Sequence, residues 1–461
     1  MTAINRRRFF ASASAPLLAQ RPAPPSRPNI LLILADDLAA WMLGCYGNLE
    51  IRTTNIDLLA RSGVRFLNSF VCTPICSASR ATLFTGRVPR QHGIHDFLTG
   101  NPVADPPQGQ AAPPAAFDNE IFVSQLLARQ GYSCGYVGKW HLGRDENPGR
   151  GFDFTATVLA RRYQDPTFHV NGNPVEQKGY LTEIKTRYAC DFLDRQTADR
   201  PFFLTVSYLN PHTPYDGHPQ RYYDLYKDVK FDSIGWEPAA ANALREKELL
   251  KDTVGNIRRC AASVTALDDQ IPALLRKLEE RRLRDNTLVI FTGDNGFLLG
   301  RHGLWSKGLA SNPINMYEEV MQVPLLLHWR GRIPVESVRP ELVSFYDFLP
   351  AVCEAAGVTL PAGRRYCGRS YLPLATGRPL PPNQPWPVHV FGHFRNTEMA
   401  RDGRYKLILR NSGDGPNELY DLRADPREKT NQFGNPGFIT VSSRLRAALD
   451  AWRKATGEPA G

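Results

Sequence analysis

Residues 28–35 read Pro-Asn-Ile-Leu-Leu-Ile-Leu-Ala, an apolar run without alternation. Such a run predicts a strand buried on both faces, as in a parallel sheet. Further buried strands are predicted at 133–138, 202–208, 287–292 and 323–329, with another strand at 64–69. Helical patterns lie between them at 55–62, 121–130 and 254–282. Strand and helix alternate, which predicts an α/β fold: a doubly wound, mostly parallel sheet flanked by helices.

Two stretches depart from this rhythm. Residues 101–116 are rich in Pro, Ala and Gly and predict a surface loop. Residues 212–236 are rich in tyrosine and suit a rim or lid over a site. After Leu374 the composition changes, and residues 379–387 form a proline-rich connector. Short strands are predicted at 389–394, 398–401 and 405–410, with a turn at Asp402-Gly403, and an amphipathic helix at 442–456. The organisation predicted is an N-terminal segment, 1–28, a catalytic domain, 29–375, and a smaller C-terminal α+β subdomain, 376–461.

The chain has 461 residues, 42% hydrophobic and 22% charged, which suits a folded globular protein. Its net charge of +10 favours an anionic substrate. No Lys/Arg block of nucleic-acid type occurs beyond Arg6 to Arg8, so nucleic acid is not an expected partner. Those arginines precede a short apolar stretch, 11–19, and a proline-rich tether. The arrangement resembles a twin-arginine export signal and implies a bacterial periplasmic or secreted protein. The stretch is too short to span a bilayer, and no membrane span is expected elsewhere. The eight cysteines show no C-x-x-C pair. Export permits disulfides, with Cys353 and Cys367 the nearest late pair.

Several buried strands end in polar residues, which a core strand has no packing reason to do. Asp36 and Asp37 follow the first strand, and Asp294 and Asn295 follow the run at 287–292. Three carboxylates and an amide supply hard oxygen ligands, suited to Ca²⁺ or Mg²⁺. Lys139 and His141 follow the strand at 133–138, and His212 follows the one at 202–208. Lys307 lies beyond Asp294. Cys76 opens a predicted helix with Arg80 one turn on, on the same face. A helix N-terminus and a guanidinium together favour a tetrahedral oxyanion.

The run 74–87, Pro-Ile-Cys-Ser-Ala-Ser-Arg-Ala-Thr-Leu-Phe-Thr-Gly-Arg, resembles the signature of the type I sulfatases, within the alkaline phosphatase superfamily. Ala78 stands where most members carry proline. Gly138-Lys-Trp-His-Leu-Gly143, Pro211-His-Thr-Pro214 and Glu418-Leu-Tyr-Asp-Leu-Arg-Ala-Asp-Pro426 resemble further elements of that family. The resemblance implies hydrolysis of a sulfate ester, on a sulfated carbohydrate or an aryl sulfate. It implies that a formylglycine-generating enzyme oxidises Cys76 to formylglycine, whose hydrate is the nucleophile. It also implies one divalent cation, calcium ahead of magnesium, on Asp36, Asp37, Asp294 and Asn295. Arg80 and Lys139 would hold the hydrate and the sulfate, with Lys307 and His212 beside the leaving oxygen and His141 as base. Arg301, His302, Trp305, Tyr215, Trp236 and His393 are candidates for the substrate rim. Two other readings stay open: a phosphonate or phosphate monoester hydrolase on the same scaffold, and a noncatalytic anion-binding protein with an unmodified Cys76.

Overall fold

The computed structural model describes residues 27–99, 110–111, 117–158, 162–411, 413 and 415–457. The export-signal reading, residues 1–26, lies outside them, as does most of the loop at 101–116.

A ten-stranded sheet forms the centre. Its strands are β1 (Asn29–Asp36), β2 (Val64–Phe70), β3 (Ser133–Gly138), β4 (Phe154–Thr157), β5 (Thr167–Val170), β6 (Asn173–Glu176), β7 (Phe202–Pro211), β8 (Thr287–Gly293), β9 (Leu325–His328) and β10 (Ser337–Ser344). Their order is β10-β2-β9-β8-β1-β7-β3-β4-β5-β6. All eight residues of β1 are buried. Ile30, Leu32 and Leu34 face one apolar cluster, and Leu31, Ile33 and Ala35 face the other. This period of two, with both faces covered, is why the run carries no polar alternation. Each such Leu or Ile contributes about 1.5–3 kcal/mol on burial.

The decisive feature is which strands are neighbours. β8, β1, β7 and β3 are consecutive in the sheet and mutually parallel. Ala35 pairs with Gly293, Asp36 with Pro211, and Gly138 with Ser207. Four carboxyl ends therefore stand in one row, roughly 14 Å long at the usual strand spacing. In open α/β sheets this end carries the ligand. The helix α2 (Cys76–Thr85), which follows the shorter α1 (Thr54–Arg61), packs across the row and is buried along its whole length.

The predicted helix at 254–282 is two helices, α4 (Thr253–Asp268) and α5 (Ile271–Glu280), after α3 (Leu181–Asp194). Pro272 is the reason: it has no N–H to donate and its ring clashes with the preceding turn. β9 runs antiparallel to both of its neighbours. In the tyrosine-rich stretch, Tyr215, Tyr222 and Tyr226 are buried in the second apolar cluster, and residues 212–216 line a cavity, a rim position. All eight cysteines are free. Cys353, on α6 (Phe348–Ala356), and Cys367 pack into different apolar clusters, so they do not pair.

The C-terminal strands β11 (Val390–Phe394), β12 (Thr397–Arg401), β13 (Tyr405–Arg410) and β14 (Glu418–Asp421) form an antiparallel meander, followed by α7 (Ile439–Thr456). The turn at Asp402-Gly403 is held by Asp402 Oδ1, which accepts from the N–H groups of Arg404 and Tyr405 at 2.7 Å each. This sheet leans on the main one. Thr73 Oγ1 donates to the His393 carbonyl at 2.8 Å, and the buried Lys406 pairs with Glu318 and Glu428.

Two positions hold the row of strand ends in shape. Gly138 has φ +109, and a Cβ there would lie 1.9 Å from the Ser207 carbonyl oxygen. Gly138→Ala should therefore cost more than about 1 kcal/mol in denaturant unfolding; unchanged stability would contradict the close approach. The loop after β8 is tied by the buried Glu319, whose carboxylate lies 3.5 Å from Arg301 and 3.2 Å from His302. Burial pushes this carboxyl up, but His302 and Arg301 outweigh burial and draw it down to about 2. A depressed carboxyl contributes stability that is present above its ordinary value and lost as pH falls toward about 2. Glu319→Gln should lose about 3 kcal/mol at neutral pH, and its deficit against wild type should shrink on acidification. A deficit constant with pH would show that the ion pairs are not its source.

Candidate active site

Arg80 is the hub. It projects from α2 and is fully buried. Its Nε donates to Asp294 Oδ2 at 2.9 Å, and its Nη1 donates to the Lys139 carbonyl at 2.6 Å and to Ser207 Oγ at 2.8 Å. One guanidinium thus ties α2 to the ends of β8, β3 and β7. Its Nη2 has no hydrogen-bond partner among the described residues. A buried donor left over in this way is suited to an anion. Ser79, also on α2, donates to the Asp294 carbonyl at 2.5 Å.

Lys139 Nζ reaches Asp36 Oδ2 at 2.5 Å. Lys307 Nζ donates to Asp37 Oδ1 and lies 3.1 Å from Cys76 Sγ. Asp37, in the left-handed region at φ 64, receives Asn295 Nδ2 on Oδ1 at 2.7 Å and donates its own N–H to Asp294 Oδ1 at 3.1 Å. His212 Nε2 stands 3.8 Å from Asp37 Oδ2. Three buried carboxylates, Asp36, Asp37 and Asp294, therefore face three buried cations, Arg80, Lys139 and Lys307. A divalent cation added to this formally neutral set leaves it positive, which draws an anion.

The residues fit such a cation. Asp36, Cys76 and Asp294 bring one ligand atom each within 4.8 Å of one another, and so do Asp36, Asp37 and His212. Two buried oxygens, Asp36 Oδ1 and Asn295 Oδ1, have no hydrogen-bond donor among the described residues. An acceptor-only, oxygen-rich donor set suits calcium or magnesium.

Electrostatics sort the groups. Burial pushes Asp36 up, but Lys139 foremost, then His212, Arg80 and Lys307, hold it well below the carboxylate range. Burial and Asp36 push Asp294 up to about 6, against Arg80 and Lys307. Burial opposes the charge on Lys307, yet Asp37 foremost keeps its amine well above the usual lysine value. Burial raises the Cys76 thiol, and Lys139 and Lys307 do not offset it. A bare thiolate is thus disfavoured at this position.

His141 sits in the left-handed region at φ 60, with its N–H given to Asp145 Oδ1 at 2.5 Å. Its Nε2 lies 3.0 Å from the Leu98 carbonyl, which only accepts, so Nε2 carries the proton. Nδ1 is left with a lone pair and no partner among the described residues. Burial, then Lys139 and Arg80, hold the imidazole well below its ordinary value, hence neutral. His212 Nδ1 lies 2.5 Å from the Thr213 carbonyl, which leaves Nε2 turned to Asp37.

Cys76, Arg80, Asp36, Asp37, Lys139, His212, Asp294, Asn295 and Lys307 thus converge, with His141 beside them. The rim candidates are placed differently. Trp305 is fully buried, with Nε1 donating to the Tyr215 hydroxyl at 3.3 Å, and Tyr215 is buried too. Arg301 lies over the Trp41 ring at 3.7 Å, and His302 stacks on Tyr317; both are held by Glu319. Trp236 is 41% exposed. His393 is buried, edge-on to His95 at 5.0 Å. The sequence reading passed over Ser207, Tyr136 and Asp145. Ser207 carried a signal, a hydroxyl inside the apolar run 202–208. Tyr136, whose hydroxyl donates to the Lys139 carbonyl at 2.6 Å, carried none.

The chain matches known proteins along most of its length. Residues 28–358 match the family described as Sulfatase, and residues 300–455 match N-sulphoglucosamine sulphohydrolase, C-terminal. An N-acetylglucosamine-6-O-sulfatase of Bacteroides thetaiotaomicron is 26% identical, across 93% of this chain and 86% of that protein. Human arylsulfatase A is 30% identical, across 96% of this chain and 92% of its own length. A structure solved in complex with its substrate D-glucosamine-2-N,6-O-disulfate superposes with a TM-score of 0.79 at 25% identity, covering 94% of this chain and 98% of that one. The phosphonate monoester hydrolase of Agrobacterium radiobacter shares the fold, with a TM-score of 0.70 at 21% identity over 93% and 96% of the two chains. The chain belongs to the sulfatase family, a family of sulfuric ester hydrolases.

Proposed function

We propose that this sulfuric ester hydrolase cleaves a sulfated carbohydrate or aryl sulfate to the alcohol and inorganic sulfate, with position 76 as the nucleophile. The observation that carries the reading is Cys76 itself. It stands at the first position of α2, 3.1 Å from Lys307 Nζ, with Arg80 one turn on. As a thiol it is a poor nucleophile here, because burial keeps it protonated. Its Sγ marks where an oxygen of a formylglycine hydrate would stand. Such a hydrate supplies one hydroxyl to attack sulfur and a second whose deprotonation frees the product. A cation on Asp36, Asp37, Asp294 and Asn295 would supply charge for that hydroxyl and for a sulfate oxygen.

The chain's own groups do the rest. Arg80, whose Nη2 makes no hydrogen bond among the described residues and lies 3.9 Å from Asp36, and Lys139 neutralise the nonbridging sulfate oxygens as charge builds in the transition state. Lys307 and His212 flank Asp37 on the side where the alcohol departs, and one of them gives the leaving oxygen its proton. His141, neutral with a free Nδ1, takes the proton from the second hydroxyl. Across the cycle the S–O bond to the alcohol is broken, an S–O bond to an oxygen of the hydrate is formed, and one water replaces that oxygen. Ala78 is buried within the first turn of α2 and forms no part of this apparatus. A protein exported by a twin-arginine signal and matured by a formylglycine-generating enzyme completes the proposal.

Cys76→Ala should lower turnover of an aryl sulfate by roughly 10³-fold or more while leaving the melting transition in place. Undiminished turnover would sink the mechanism. Chelation should abolish activity and added Ca²⁺ should restore it; activity indifferent to chelator would remove the cation from the scheme. An aryl phosphonate ester turned over faster than the paired aryl sulfate would favour the phosphonate reading.

A further inference from the structure

Behind His212 lies a cavity of about 840 Å³, lined among others by His212, Thr213, Tyr215, Glu246, Glu248 and Arg259. Its size is that of a pocket for a small ligand. His212 belongs to both chambers: it forms one wall of this cavity, and its Nε2 stands 3.8 Å from Asp37. On the proposed reaction, the cavity therefore begins beside a group that would protonate the leaving alcohol.

Its charge is unlike that of the chain as a whole. Asp216, Glu246 and Glu248 face a single cation, Arg259, in the wall. Arg259 is already engaged, bonded to Asn256 Oδ1 at 2.5 Å and paired with Asp252 at 3.3 Å. Arg245, next in sequence to Glu246, lies instead over the Phe97 ring at 4.5 Å. Glu246 is fixed in place: its backbone is left-handed at φ 54, and its carboxylate accepts from Thr213 Oγ1 at 2.8 Å, one residue from His212. The catalytic cluster thus carries three buried cations, while the adjoining cavity is lined mostly by carboxylates.

We propose that this cavity receives the alcohol half of the substrate, and that Glu246 and Glu248 select esters whose alcohol half carries no second anionic group. The inference rests on the sulfate-ester reading of the neighbouring centre. A second sulfate or carboxylate placed in the cavity would face a wall of its own sign, which like-charge repulsion penalises. Hydroxyls and amines would instead find acceptors.

The test uses two probes that differ in one charge, 4-nitrophenyl sulfate and 4-carboxyphenyl sulfate. Binding to the Cys76→Ala protein is measured by calorimetry, and kcat/KM on the active enzyme. Wild type should prefer the nitrophenyl ester by about tenfold in both, and the preference should fade at high salt. In Glu246→Gln/Glu248→Gln the preference should fall several-fold. Comparing wild type with variant cancels the intrinsic reactivity of the two esters. Should the double variant melt early, the exposed Glu248→Gln alone should still shift the ratio in the same direction. Equal binding of the two esters by the Cys76→Ala protein, a preference unchanged in the variants, or no binding of either ester would overturn the proposal. Discrimination in binding with no turnover of any sulfate ester would leave it standing and refute the catalytic reading.

Discussion

Charge neutrality inside the protein is the constraint on which the rest of the structure depends. Three carboxylates and three cations lie buried at the ends of four adjacent strands. An isolated ion there would cost several kcal/mol, and removing one partner from such a pair is more damaging than never having had it. Arg80 carries most of the burden, since it bridges Asp294, Ser207 and the Lys139 carbonyl with no exposure to solvent. The fold can hold these groups only because parallel neighbours bring the strand ends into one row.

That balance also sets the protonation states of the site. Asp36 is held ionised by Lys139 above all, while Asp294, beside it, is pushed up to about 6 by burial and by Asp36 itself. A divalent cation on these oxygens, as proposed, would leave the cations of the chain free to meet an anion. His141 is kept neutral by burial and by the same lysine. In the proposed reaction, binding, activation and proton transfer are thus aspects of a single electrostatic arrangement.

The sequence made much of this legible. The apolar runs of β1, β3, β7 and β8 each end in polar residues, and a core strand has no packing reason to do so. That pattern is local and survives without knowledge of the fold. What was not legible depends on contacts across the sheet. Tyr136 and Ser207 matter because the register of β3 with β7 places both beside the Lys139 carbonyl. Trp305 looked like a rim residue by type, but it is fully buried, and Tyr215, which accepts its indole N–H, keeps only a small exposed area at the cavity wall. Arg301 and His302 looked free to meet a substrate, and Glu319, distant from both in sequence, claims them. The break between α4 and α5 was written in Pro272, whose effect outweighs the helical pattern on either side. The extent of the domains remains a proposal from composition, since the C-terminal sheet shares apolar contacts with the main one.

Everything chemical in this account turns on the state of one side chain. Mass spectrometry of the peptide bearing Cys76, from protein made in a host with the converting enzyme and compared before and after borohydride reduction, reads that state directly. The account predicts an aldehyde in place of the thiol, which takes up two hydrogens on reduction. An intact thiol at position 76 in a preparation that still hydrolyses an aryl sulfate would contradict it.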